Sequence, residues 1–300
     1  MTTGVLLMAH GTPASTTEIA PFYTRIRRGR PPTPEQLAEL EARYAAIGGV
    51  SPLAVRTREQ VDAVRTALET RAPGRYVVSF GAKHTDPLIE EGATELTAAG
   101  VARVVGLVLT PHGSSFGSEE YIERAATALG DTPFVPVGPW FATPSLVDLL
   151  AARVQQALRT VTGRATVIFT AHSLPERIRE AGDTYPEQLA ESAQLVGSAA
   201  GLDEWLVAWQ SPGRTPEPWL GPDVRDVVHQ LAADDLADAV VICPIGFVAD
   251  HLEVLYDLDV EVADVAAASG LAYARTASLN ADPVFIATLA DLIIDADGAA

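Results

Sequence analysis

Eight nearly continuous apolar runs, separated by segments of helical length, limit what this chain can fold into. Four fall in the first half, GVLLMAH (4–10), RYVVSFG (75–81), RVVGLVLTPH (103–112) and TPFVPVG (132–138). Four more follow, ATVIFTAH (165–172), EWLVAWQ (204–210), AVVICPIGF (239–247) and the weaker LAYART (271–276). Strands apolar on both faces must be covered on both faces, which the intervening helices of a parallel sheet do. The pattern predicts an α/β protein of two similar Rossmann-like domains, residues 1–145 and 146–300, each a parallel four-stranded sheet flanked by helices.

The two halves echo each other. LLMAHGTPAS (6–15) and IFTAHSLPER (168–177) each stop an apolar run at Ala-His and place a proline shortly after. In parallel sheets, ligands bind at the carboxyl ends of the strands. His10, His112 and His172 are expected to end strands there, with His84 just beyond the second strand. One such imidazole usually does no more than satisfy a carbonyl. Several converging from both halves point to a pocket between them.

Composition removes other classes. A net charge of -18 leaves no basic surface for nucleic acid. No apolar run approaches membrane-spanning length and no basic segment precedes the first one, so a cytoplasmic protein with no membrane insertion is expected. No exposed apolar helix asks for a partner, so a monomer is expected. The single cysteine, Cys243, excludes an internal disulfide and an iron-sulfur cluster held by this chain's thiolates alone. No GxGxxG opens the first helix and no phosphate-binding P-loop occurs, so no organic cofactor is expected.

GFVADHLEVLYDLDVE (246–261) carries Glu253, Asp257 and Glu261 at intervals of four, one face of a helix, with His251 at its start. Such rows are usually solvated, but Val254, Leu255, Leu258 and Val260 argue for partial burial. Buried carboxylates need protons or a cation, and carboxylate with imidazole suits a first-row divalent ion. The HLEVLYD spacing is not HExxH, which argues against a zinc hydrolase. IRRGR (26–30) offers an anion site or a solvated turn. IGGVSPL (47–53) is a tight turn with free backbone N–H groups, and WQSPGRTPEPWLGPD (209–223) is a long functional or mobile loop.

AHSLPER, WQSPGRTPEPWLGPD and CPIGFVADHLEVLYDLDVE resemble the signatures of ferrochelatases. The likeness extends in order through IRRGRPPTPEQL, RYAAIGGVSPL, GAKHTDP and TPHGSSF. It is closest to the soluble bacterial type that inserts ferrous iron into coproporphyrin III, and implies a porphyrin cleft between the two domains. The resemblance places the catalytic histidine at His172 and the catalytic glutamate at Glu253, facing each other across the porphyrin centre. Both would contact the metal, with His172 neutral near pH 7, and Asp257 and Glu261 would form an outer metal-delivery row. It implies propionate donors at Arg27, Arg28, Arg43, Ser51, Ser115 and Ser211, and apolar walls from Trp219 and Phe247. The family's first loop carries tyrosine, as in AYGTP, where this chain has His10. That imidazole would reach the ring from the face opposite His172. Iron is then substrate, not cofactor. Three further readings stay open: a protoporphyrin IX ferrochelatase, a cobalt or nickel chelatase, whose sirohydrochlorin-acting members AHG also resembles, and a non-catalytic haem or porphyrin carrier.

Overall fold

The computed structural model describes residues 2–299. All eight apolar runs contain strands: β1 (Thr3–Ala9), β2 (Tyr76–Ala82), β3 (Arg103–Val108), β4 (Phe134–Pro136), β5 (Ala165–His172), β6 (Leu206–Gln210), β7 (Ala239–Cys243) and β8 (Ala272–Arg275). They form two all-parallel sheets with matching orders, β2-β1-β3-β4 and β6-β5-β7-β8. In each, the chain leaves its first strand to one side and returns on the other. The carboxyl ends of β1 and β3, and of β5 and β7, are therefore the switch points where such sheets open a crevice.

The helices that matter for the site are α1 (Ile19–Ile26), α2 (Pro34–Ala46) and α3 (Leu53–Arg71), all between β1 and β2. Thr33 caps α2 in a reciprocal box with Gln36, and Pro34 occupies its first turn, where no N–H is needed. Further along come α4 (Ile89–Ala98), α5 (Ser118–Leu129), α6 (Pro144–Leu158), α7 (Tyr185–Ala199) and α8 (Val224–Ala233). The last are α9 (Leu252–Leu255), α10 (Ala263–Ala268) and α11 (Pro283–Ala299).

One continuous core joins the halves: Leu7, Val64, Leu107, Leu150, Leu189, Phe169, Val241, Leu289 and Ile293 belong to it. The helices do not respect a split at residue 145. The last helix, α11, packs on α3 of the first half, and its buried Asp297 accepts from Thr3, Arg75 and Tyr76 and pairs with Arg103. The outer face of each sheet has its own apolar layer, α4 and α5 on the first, α8 and α10 on the second.

The apolar runs overstate the strands at their carboxyl ends. β3 stops at Val108, so His112 lies on the following loop instead of ending the strand. Pro111 cannot donate to a ladder, and its carbonyl turns to accept from Trp140 and Phe141. β7 likewise stops before Pro244. The acidic segment is not one α-helix. It runs from α9 into a π-helix, Asp257–Val262, and then α10. Glu261 N–H reaches the Tyr256 carbonyl five residues back, at 3.0 Å, which widens the turn and re-aims Asp257 and Glu261 relative to Glu253.

Candidate active site

The carboxyl ends of both sheets face a single cavity of about 470 Å³, within the range of small-molecule sites. Its wall draws His10 and Thr12 from the loop after β1, Phe22, Tyr23 and Ile26 from α1, and Glu39, Arg43 and Tyr44 from α2. Ser51, Lys83, His112, Ser114, His172, Tyr185, Phe247, His251 and Glu253 also line it.

His10 and His172 are held in the same way. In each, Nδ1 donates to the carbonyl of the next residue, Gly11 at 3.0 Å and Ser173 at 2.5 Å, so Nε2 is presented to the cavity. They differ in charge. Burial lowers His10, with further depression from Lys83 and His172, and keeps it neutral. Burial also opposes the His172 imidazolium, but Glu253 beside it and the Ser173 carbonyl outweigh that cost and carry it up to about 9. In the free protein His172 is therefore protonated at neutral pH, contrary to the expectation of a neutral imidazole.

Glu253 Oε1 lies 3.4 Å from His172 Nε2 and Oε2 lies 3.6 Å from His251 Nε2. Burial favours its neutral acid, yet the two imidazoles hold it well below the usual carboxylate range. The contact corrects the expectation that His172 and Glu253 face each other across a bound ring. No macrocycle fits between atoms 3.4 Å apart, since a ring needs van der Waals clearance on both faces. The pair occupies one face of the cleft, and His10 faces it from the other half. His251 shares the pair, and its signal was the DHLE sequence.

The backbone keeps this pair together at one close approach. A Cβ on Gly246, in the loop after β7, would lie 2.5 Å from Ala171 Cβ, so only glycine lets that loop pass against β5 next to His172. Gln210 at the end of β6 donates to the Glu253 carbonyl at 3.0 Å, fixing the amino end of α9.

The other expected residues divide. Arg43, Ser51 and Phe247 line the cavity, with the Phe247 ring tilted against His251 at a centroid distance of 4.7 Å. The Ser51 hydroxyl accepts from Leu53 N–H at 3.2 Å, at the start of α3. Arg27, half-buried, and Arg28, exposed, lie on the turn after α1, beyond the cavity wall. Trp219 is not a cavity wall either. It packs against Gly213 and donates to Thr215, stiffening its own loop. The Ser115 hydroxyl donates to Asp183 at 2.6 Å, and the neighbouring Ser114, which lines the cavity, donates to the same carboxylate at 3.0 Å.

Asp257 and Glu261 lie outside the cavity wall and are clamped by cations. Arg43 Nη2 is 3.3 Å from Asp257 and 3.5 Å from Glu261, and Arg225 is 3.6 Å from Glu261. Ser211, strained at φ 57°, donates to Asp257. Burial, with Glu253 nearby, raises Asp257 to about 6. Among the described residues no group of three or more His, Cys, Asp or Glu is arranged to hold a metal ion. Metal passage along these two acids requires the Arg43 guanidinium to move away. Arg43, expected to bind substrate, thus ties α2 to the π-helix, and the Arg214–Glu39 ion pair ties α2 to the 209–223 loop.

The ferrochelatase family profile matches residues 2–297. A Bacillus subtilis (strain 168) protein named coproporphyrin III ferrochelatase is 43% identical over 299 residues, covering 97% of this chain and 96% of that one. The protein of that name from Anoxybacillus flavithermus is 41% identical over 300 residues, covering 97% and 95%. The fold is that of chelatases more widely. SirB from Bacillus subtilis, solved with Fe³⁺, superposes with a TM-score of 0.62 at 13% identity over 99% of this chain and 98% of that one. CbiX, described as the terminal enzyme of siroheme biosynthesis in denitrifying bacteria, gives 0.56 at 16% identity, over 97% and 98%. With the profile spanning nearly every residue and relatives above 40% identity along the whole length, the chain belongs to the ferrochelatase family.

Proposed function

We propose that the protein inserts ferrous iron into coproporphyrin III, with the His172–Glu253 pair as its catalytic centre. The contact between these two side chains at 3.4 Å carries the reading, because it joins a loaded imidazolium to a carboxylate at the wall of a ring-sized cleft. Insertion breaks two pyrrole N–H bonds. Each electron pair stays on nitrogen to bind the metal, and two protons leave. Ferrous iron arriving at Glu253 neutralises the charge that holds the proton on His172. Burial then drives the imidazolium to give up its proton to cleft water, and the freed Nε2 takes one pyrrole proton while the second passes to water, so each turnover releases two protons and leaves His172 protonated again. His10, neutral and presented to the cavity from the opposite half, would face the other side of a bound ring and offer it an imidazole nitrogen. The polar wall offers the propionates Ser51, and also Arg43 and Arg214 once these leave their ion pairs with Asp257, Glu261 and Glu39, with Arg27 and Arg28 beyond the wall.

The test is anaerobic absorbance of the purified protein with ferrous iron, run in parallel on coproporphyrin III and protoporphyrin IX. Loss of the free-base spectrum with coproporphyrin at a kcat/KM at least tenfold above protoporphyrin supports the substrate. The reverse preference assigns the protein to protoporphyrin.

A further inference from the structure

We infer that His112 is a proton conduit leading out of the cleft to a second cavity that carries carboxylates in its lining, a role that rests on the metal-insertion reading. Its side chain is 2% exposed, and neither ring nitrogen has a hydrogen-bond partner among the described residues. Buried polar atoms in folded proteins are nearly always bonded, so an imidazole left open at both nitrogens calls for a role. The ring is held only by aromatic contacts: parallel to Phe141 at 5.3 Å and edge-on to Tyr185 at 6.1 Å.

The position supplies the role. His112 lines the main cavity and also a neighbouring one of about 500 Å³ between α5 and α7. The partition between them is shared by Val108, Thr110, His112, Ser114 and Ser118, so it is mostly hydroxyl and imidazole. Beyond it stand Glu119, Glu123 and Asp183, two of them exposed. Tyr185, against His112, donates to the His172 carbonyl at 3.1 Å and so touches the catalytic strand directly.

Each turnover releases two protons into a cleft whose mouth the ring itself occupies. A proton needs only a chain of donors and acceptors, whereas a hydrated metal ion needs an opening. A neutral imidazole has one N–H and one lone pair. In the proposed relay one nitrogen takes a proton from the cleft side and the other gives one up on the acidic side, with water molecules entering to bridge nitrogens that are themselves buried. The ring then resets by rotation. His10, His172 and His251 cannot rotate without breaking an Nδ1 hydrogen bond, whereas His112 has no such bond to break.

The experiment is single-turnover stopped-flow insertion of ferrous iron in H₂O and D₂O by wild type, His112→Phe and His112→Gln, with porphyrin affinity from fluorescence quenching. Phe preserves the stacking. Gln preserves a donor and an acceptor but cannot exchange a proton between them. The conduit predicts unchanged porphyrin Kd in both variants, insertion slowed about tenfold or more, a larger solvent isotope effect, and recovery on adding imidazole. Wild-type rates in Gln overturn it, because a purely hydrogen-bonding role is then sufficient. Slow insertion with weakened porphyrin binding and no response to D₂O or imidazole also overturns it. If His112→Phe does not fold, the Gln variant and Thr110→Val give the same readings. Absence of insertion by wild type would sink the chelatase reading itself, an outcome distinct from either.

Discussion

Replacing Glu253 by Gln removes one charge, keeps the shape, and leaves His172 to burial. The two groups lie 3.4 Å apart. At an effective dielectric of about 20, unit charges at that separation attract by roughly 5 kcal/mol. His172 rises from its ordinary 6.5 to about 9, which at about 1.4 kcal/mol per pH unit is roughly 3 kcal/mol in favour of the imidazolium. Burial opposes the charge more strongly than any single contact favours it, so the net rise also draws on the Glu253 hydrogen bond, the Ser173 carbonyl and Asp257. Without the carboxylate, His172 should titrate near or below 6.5. The assay is NMR of the labelled imidazole against pH in wild type and Glu253→Gln. A midpoint near 9 in wild type that falls by two units or more supports the reasoning, and a variant still titrating within one unit of 9 refutes it. Stability follows with a definite sign. The raised His172 pKa stabilises the fold fully below 6.5, and this is lost as pH rises through about 9. The depressed Glu253 pKa stabilises above 4.5, and this is lost as pH falls. The advantage of wild type over Glu253→Gln should therefore peak between these limits and shrink above pH 9.

Other parts of the structure yield sharper single-residue outcomes. Gly246→Ala puts a methyl against Ala171 at 2.5 Å and should push the β7 loop off β5. A kcat loss of about tenfold or more with a lower Tm is expected, and a wild-type Tm and kcat would show that the loop has slack. Asp297→Ala leaves Arg75, Arg103, Thr3 and Tyr76 without their shared acceptor. Urea denaturation should report a loss of about 3 kcal/mol, at the lower end for a broken buried ion pair because Arg75 is half exposed, and a loss under 1 would refute the anchoring role of α11.

The strands were legible because the central ones are buried on both faces, and a run such as VLLM can be little else in a parallel sheet, whereas the edge strands β4 and β8 are only partly covered. The cleft was legible from His10 and His172, whose shared Ala-His endings land at equivalent switch points. The pairing of His172 with Glu253 was not. It depends on how two loops pass each other at Gly246, a steric fact with no local signature. The role of Arg43 was hidden for a related reason: a cation on α2 cannot announce that carboxylates from the far half will claim it. The turn from α9 into a π-helix defeated the four-residue spacing, which reads the same in either helix. The resemblance implied Ser115, whereas Ser114 lines the cavity and both hydroxyls donate to Asp183, a partner from the far half with no signal in the serine segment.

The central claim, that Glu253 and His172 perform metal insertion instead of merely binding a ring, is tested most directly by Glu253→Ala. Porphyrin affinity and anaerobic single-turnover insertion of ferrous iron would be measured on the same sample. The account predicts porphyrin binding within about threefold of wild type and insertion reduced by at least 10². Insertion at the wild-type rate, with ring binding intact, would contradict it and leave a cleft that holds porphyrin without using its acid-imidazole pair.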